Sequence, residues 1–138
     1  MIIKSYGNLV TGDRTIIDDY REAYYWLNQN TEEDAKVMAW WDYGYQLAGM
    51  SNRTTIVDNN TWNFTHIGTV GKVLIETEEE AHKMLTDMGI EYIMVSFGGY
   101  SGITLDEHVK MLWFIRIAHD TYPDAAEWDY YENGKFGI

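Results

Sequence analysis

The sequence predicts an α/β domain: a parallel or mixed sheet of three or more strands, covered by helices, in one compact unit. Three observations carry this. Short β-rich runs recur at Val37–Trp41, Thr54–Val57 and Ile90–Ser96. The segments around them repeat apolar residues at i, i+3, i+4 and i+7, the spacing of one helix face. Helix-start patterns stand where the helices should begin, with Thr77 three before Glu80 and Thr104 three before Glu107. Strands alternating with helices give a sheet buried under helices.

Residues 1–14 are mixed in character and are read as an N-terminal extension. Asp19 with Glu22 resembles a capping pattern, and Tyr20, Ala23, Tyr24 and Leu27 supply the stripe of the first helix. Thr31–Asp34 is an acidic turn or a short helical start. Val37–Trp41 is too short and too β-rich for a helix. Tyr45–Met50 reads as a short helical turn closed by Gly49. Thr54–Val57 is β-branched throughout, so a strand. Phe64–Leu74 is a helix with Ile67, Val70 and Leu74 on one side and Gly68 and Gly71 as small contact points. Ala81, Met84, Leu85 and Met88 form the next stripe, which Gly89 stops. Ile90–Ser96 is apolar enough to be a strand buried on both faces. After a glycine loop, Val109, Leu112, Trp113 and Ile117 mark the last helix, and Pro123 closes that region.

The chain of 138 residues suits one domain with a real core. Its formal net charge of −12 argues against nucleic acid or an anionic membrane surface as partner. With no cysteine there is no disulfide and no thiolate metal site. No apolar run nears the roughly 20 residues that span a bilayer.

The chemistry concentrates at Trp40-Trp41-Asp42-Tyr43-Gly44. Side chains leaving the end of a strand converge on a cleft in open α/β sheets. Indole N–H groups only donate and a carboxylate only accepts, so together they can receive a hydroxyl, which does both. A core aromatic pair beside a turn aspartate would use the same residues. Right-handed crossovers would set the loops after Trp41, Val57 and Ser96 at one sheet edge, bringing Lys110 within reach of Asp42. Glu107 lies three residues before Lys110, on the same helix face.

This stretch resembles the signature of the catalytic subunit of oligosaccharyltransferase, the enzyme of asparagine-linked glycosylation. The similarity runs from Trp40 to Lys72 and continues through Phe97–Gly99 and Leu112–Ile117. It covers roughly residues 15–138, which would form a luminal acceptor-binding domain. The family's membrane-spanning half has no counterpart here, so the resemblance implies a domain cut from a longer chain, with Met1 an added start. It implies that Trp40, Trp41 and Asp42, with Tyr43 and Gly44, hold the Ser/Thr hydroxyl of an Asn-x-Ser/Thr acceptor. A family motif of Asp, then Lys three on, then Met four further corresponds here to Glu107, Lys110 and Phe114. The two departures put the role of the acid in doubt more than that of the lysine. Phe114 would meet the threonine methyl. Tyr45 corresponds to a position associated with the dolichyl-diphosphate oligosaccharide donor. Of three sequons, at Asn52, Asn59 and Asn63, the last matches the position that usually carries a glycan.

The resemblance further implies a transferase of the endoplasmic reticulum membrane, with this domain luminal, working with other oligosaccharyltransferase subunits. Mn²⁺ or Mg²⁺ would be held by acidic residues outside these 138 positions. No catalytic residue and no metal ligand is expected within them, nor activity from this chain alone. Other motifs fail. Gly68–Lys72 lacks the first glycine and the Ser/Thr of a phosphate loop. Asp58-Asn59-Asn60 lacks the spacing of a calcium loop. The four histidines lack zinc spacing. The alternative is a stand-alone peptide- or carbohydrate-binding α/β module that reuses the aromatic pocket.

Overall fold

The order of elements follows the alternation of the sequence, with a hairpin at each end. A computed structural model describes residues 4–8, 10–96, 105–124, 131–132 and 135–136. Its elements are β1 (Lys4–Gly7), β2 (Arg14–Ile17), α1 (Asp19–Asn30), β3 (Lys36–Met38), a 3₁₀ turn (Trp41–Tyr43), α2 (Gly44–Gln46), a wide helical turn (Leu47–Ser51) and β4 (Thr54–Thr55). Then come α3 (Phe64–Ile75), α4 (Glu78–Met88), β5 (Tyr92–Ile93), α5 (Leu105–Thr121), β6 (Tyr131–Glu132) and β7 (Lys135–Phe136).

The central sheet is parallel, in the order β4-β3-β5. The α/β expectation therefore holds, with the strands shorter than the β-rich runs. β3 is the middle strand, and period-2 alternation sends its side chains to two cores. Val37 and Ala39 join Tyr24, Leu27 and Leu47 under α1. Met38 and Trp40 join Val57, Ile67, Val70, Val73 and Ile90 under α3. Both cores are closed at the end of β3 by Tyr43, which packs against each.

Helix α3 packs on α5 through its glycines. A Cβ at Gly68 would overlap Thr121, and one at Gly71 would lie 2.8 Å from the Phe114 carbonyl oxygen. These are the small contact points foreseen at Gly68 and Gly71. Thr77 caps α4 by accepting from the Glu80 N–H at 3.4 Å, and Gly89 closes it at φ 66°.

Several expectations are corrected. Lys4–Gly7 and Arg14–Ile17 pair antiparallel, so the boundary drawn after residue 14 cuts through β2. Helix α1 is capped one residue earlier, at Asp18, whose side chain makes no capping bond and pairs instead with Arg21. The turn after Tyr45 is closed not by Gly49 but by Asn52, in the left-handed region at φ 53°; asparagine tolerates it where most side chains clash. Ile90–Ser96 is not buried on both faces: β5 is an edge strand and Val95 is 64% exposed. An apolar run shows that some surface must be covered, not that two sides are. Thr104 lies outside the described residues, and the helix that its capping pattern anticipated starts at Leu105.

Candidate functional site

The strand stops at Met38, but the chain stays extended through Trp40, at φ −61° and ψ 146°. Trp40 thus keeps its place in the alternation and its indole enters the core. It is 3% exposed and stands on the Phe114 ring at 4.5 Å between centroids. At Trp41 the backbone turns into the 3₁₀ segment and the alternation ends. Trp41, Asp42 and Tyr43 leave the sheet edge half-buried. The two indoles are tilted by 59° with centroids 6.4 Å apart. One ring is a core wall and the other reaches the surface, so the paired-indole socket is asymmetric.

Gly44 is fully buried for a reason other than a tight turn. Its φ of −58° suits any residue. A Cβ there would run into the Val57 carbonyl oxygen and stand 2.5 Å from the Asp58 Cα. The absent side chain lets the turn after β3 close onto the chain leaving β4.

Asp42 and Lys110 come from opposite ends of the sequence and meet at this edge. Lys110 Nζ lies 3.9 Å from Asp42 Oδ2, with side chains 19% and 31% exposed. The approach inferred from crossover handedness is thus present. The same ammonium donates to the Tyr43 hydroxyl at 3.0 Å and sits 4.8 Å from that ring's centroid. Burial is the main reason the Tyr43 phenol is pushed up to about 12, and a hydrogen bond to Tyr20 adds to it. The phenol is therefore neutral at physiological pH, and Lys110 faces the Asp42 carboxylate and this neutral oxygen among the described residues. Phe114 lies one turn further along α5, half-buried against Trp40. Glu107 is on α5, but its side chain lies outside the described residues, so its pairing with Lys110 is not part of this geometry.

Tyr45 is 48% exposed on α2, beyond the cluster. Asn63 is exposed and caps α3, its side-chain oxygen accepting from the Thr65 N–H at 3.0 Å. That bond uses Oδ1 and leaves the amide nitrogen outward. Asn52 and Asn59 are exposed too.

A second polar cluster, missed in the sequence, centres on Arg53, which is 5% exposed. It donates to the Asn28 and Thr31 carbonyls at 2.8 Å each, to Thr31 Oγ1 at 2.8 Å, and to the Asn52 and Ser51 carbonyls at 3.0 and 3.3 Å. These are the C-terminal carbonyls of α1 and of the 47–51 turn, the negative ends of two helical segments. A single basic residue in a turn carries no pattern that would announce this.

Among the described residues no three His, Asp or Glu side chains are grouped as a metal site, and no helix is long and apolar enough to cross a membrane. Grooves lie among α3, α4 and Tyr122, and between α1 and β5; neither contains a residue of the Trp41–Asp42–Lys110 cluster. Trp41, Asp42 and Lys110 are each partly exposed, so among the described residues the cluster forms a half-open wall.

Fold and site together define a parallel α/β domain that presents an indole, a carboxylate and an ammonium at the C-terminal edge of its sheet. A model of the AglB core domain matches residues 10–97, and the chain belongs to that AglB core-like family. It is similar to the dolichyl-diphosphooligosaccharide–protein glycosyltransferase subunit STT3B of Oryza sativa, 52% identical over 127 residues, which is 92% of this chain and 18% of that protein. It is 54% identical over 121 residues to subunit stt-3 of Caenorhabditis elegans, covering 87% of this chain and 16% of that one. The fold is similar to the C-terminal globular domain of oligosaccharyltransferase from Archaeoglobus fulgidus, at a TM-score of 0.57 and 20% identity, covering 83% of this chain and 74% of that one. The chain therefore spans less than a fifth of the length of these curated relatives.

Proposed function

We propose that this domain is the acceptor-holding part of an oligosaccharyltransferase catalytic subunit, luminal in the endoplasmic reticulum. The full enzyme would transfer an oligosaccharide from dolichyl diphosphate to the asparagine nitrogen of Asn-x-Ser/Thr. The observation that supports this best is the Asp42–Lys110 pair beside a half-exposed Trp41, in a chain of this family. The Trp41 indole N–H would donate to the acceptor's hydroxyl oxygen, and Asp42 would accept the hydroxyl proton. A carboxylate has about four lone-pair sites, so pairing with Lys110 leaves room for this. Phe114 and Trp40 would form the apolar floor that meets a threonine methyl. Tyr43 and Gly44 hold the turn in shape. Tyr45 would face the lipid-linked donor, and Asn63 would carry a glycan.

A half-open wall needs an opposite wall, which the much longer relatives leave room for in chain outside this one. Their length also weighs against the stand-alone binding module. The Mn²⁺ or Mg²⁺ of the full enzyme would be held outside this chain. Other subunits would contact the assembled enzyme. The test is an NMR titration with an Asn-x-Thr peptide and its Asn-x-Ala twin. Shifts of the Trp41 indole and the Lys110 ammonium for the first peptide alone are expected. A site built to bond a hydroxyl rejects its absence by up to roughly 10⁴-fold, because its own polar groups go unpaired. Equal responses to both peptides would refute the reading.

A further inference from the structure

Tyr20 is on α1, outside both sequence motifs, yet it reaches the site. Its ring stacks on Tyr43 at 5.5 Å between centroids and 18° between planes. Its hydroxyl lies 2.9 Å from Ser96 Oγ, just past β5, and 3.4 Å from the Tyr43 hydroxyl. Both contacts run from the Tyr20 hydroxyl, which donates to Ser96 Oγ at the shorter distance and to the Tyr43 oxygen at the longer. Lys110 donates to the same Tyr43 oxygen at 3.0 Å. The Tyr43 oxygen is thus held by a donor from α1 and a donor from α5. Four segments of chain are tied to Asp42 by these contacts: α1, the turn after β3, the end of β5, and α5.

We infer that Tyr20 and Ser96 are positioning residues for acceptor-hydroxyl recognition: they orient the Tyr43 phenol, and through it the Lys110 ammonium beside Asp42. This rests on the function proposed above. Without Tyr20, the Tyr43 oxygen keeps only the Lys110 donor, and the phenol and the ammonium can shift together away from Asp42. The stack alone would hold the ring in place but not its hydroxyl.

Tyr20→Phe keeps the stacked ring and removes both hydroxyl contacts. Ser96→Ala removes the nearer acceptor of the Tyr20 hydroxyl and touches neither ring. The readout is NMR titration of the 138-residue chain with the Asn-x-Thr and Asn-x-Ala peptides, together with the Lys110 ammonium signal without peptide and thermal melting. In both variants, binding of the Asn-x-Thr peptide should weaken about threefold to tenfold, the worth of one hydrogen bond. Binding of the Asn-x-Ala peptide should be unchanged, the melting midpoint should fall by no more than the lost hydrogen bonds are worth, and the Lys110 signal should move before any peptide is added. If the unsubstituted chain discriminates and both variants discriminate equally well, the inference fails and the pocket stands. Equal weakening toward both peptides would reduce Tyr20 to a packing role and also overturn it. If the unsubstituted chain cannot tell the peptides apart, the pocket reading falls, and the inference with it. Should Tyr20→Phe fail to fold, Ser96→Ala decides.

Discussion

Arg53 shows how much one side chain can carry away from any site. Five of its contacts are to oxygens at the ends of two helical segments, and it is almost wholly buried. Its truncation would strand several of those oxygens away from water. Arg53→Met should cost about 3 kcal/mol, read as a lower midpoint in urea. Arg53→Lys should recover little, because a point ammonium cannot span five acceptors as a guanidinium fork does. Recovery by lysine would show that charge, not geometry, is what matters there.

Asn63 combines a helix cap with a sequon, and the two can be separated. Asn63→Ala removes the Oδ1 acceptor and should cost roughly 1 kcal/mol of stability in unglycosylated chain. Asn63→Asp keeps a capping oxygen and destroys the sequon. Made in a glycosylating host, both variants should lose the glycan, seen as a mass difference, whereas only the alanine variant should melt earlier without it. The sequon was readable from three letters. The cap was within reach too, since the expected helix starts at Phe64 and asparagine is favoured just before a helix.

Among the elements, α3 and α5 depend on a missing side chain at each of two glycines. Gly71→Ala would set a methyl 2.8 Å from the Phe114 carbonyl oxygen, a backbone atom that cannot turn aside. The helices must separate, and overpacking of this kind costs about 1–3 kcal/mol. The shift would also disturb Phe114, which carries Trp40, and should move the Trp41 indole signal in NMR. A fully stable Gly71→Ala variant with an unmoved indole would contradict this packing. The helical stripes of α1, α3 and α4 and the capping box at Thr77 were all visible in the sequence. They are local, set by residues three and four apart. The hairpin β1–β2 was not visible, since its pairing depends on register rather than composition. β5 was overestimated, because an apolar run does not reveal which edge of a sheet it will occupy.

For the molecule as a whole, pH is a direct probe of the two buried phenols. Tyr24 and Tyr43 are both pushed from 10.0 up to about 12, chiefly by burial. Their protonated forms are therefore favoured by folding. The stability they contribute is fully present below pH 10 and is lost as pH rises from about 10 through 12, because the unfolded chain releases these protons first. Unfolding midpoints in urea should fall steeply across that window. Tyr24→Phe combined with Tyr43→Phe should flatten the fall; an unchanged slope would place the alkaline transition elsewhere. The same scale sets the expectation for activity. On the function proposed above, which sets the metal ligands outside these 138 residues, the domain alone should transfer no oligosaccharide in an assay with lipid-linked donor and acceptor peptide.

Residues close in the chain were enough to determine the α/β class, the main helices, the family resemblance and the identity of the Trp40–Gly44 cluster. Those features rest on local spacing and on side-chain chemistry, which the chain carries wherever it folds. Handedness even allowed Asp42 and Lys110 to be placed together. Only the tertiary structure decided that Trp40 is sealed while Trp41 reaches the surface, that Gly44 is a point of backbone contact, and that Tyr20 and Ser96 tie into Lys110. Each of these depends on which groups from separate elements meet, or on where a strand ends and its alternation breaks. Burial and contacts between elements belong to that meeting and have no local signature.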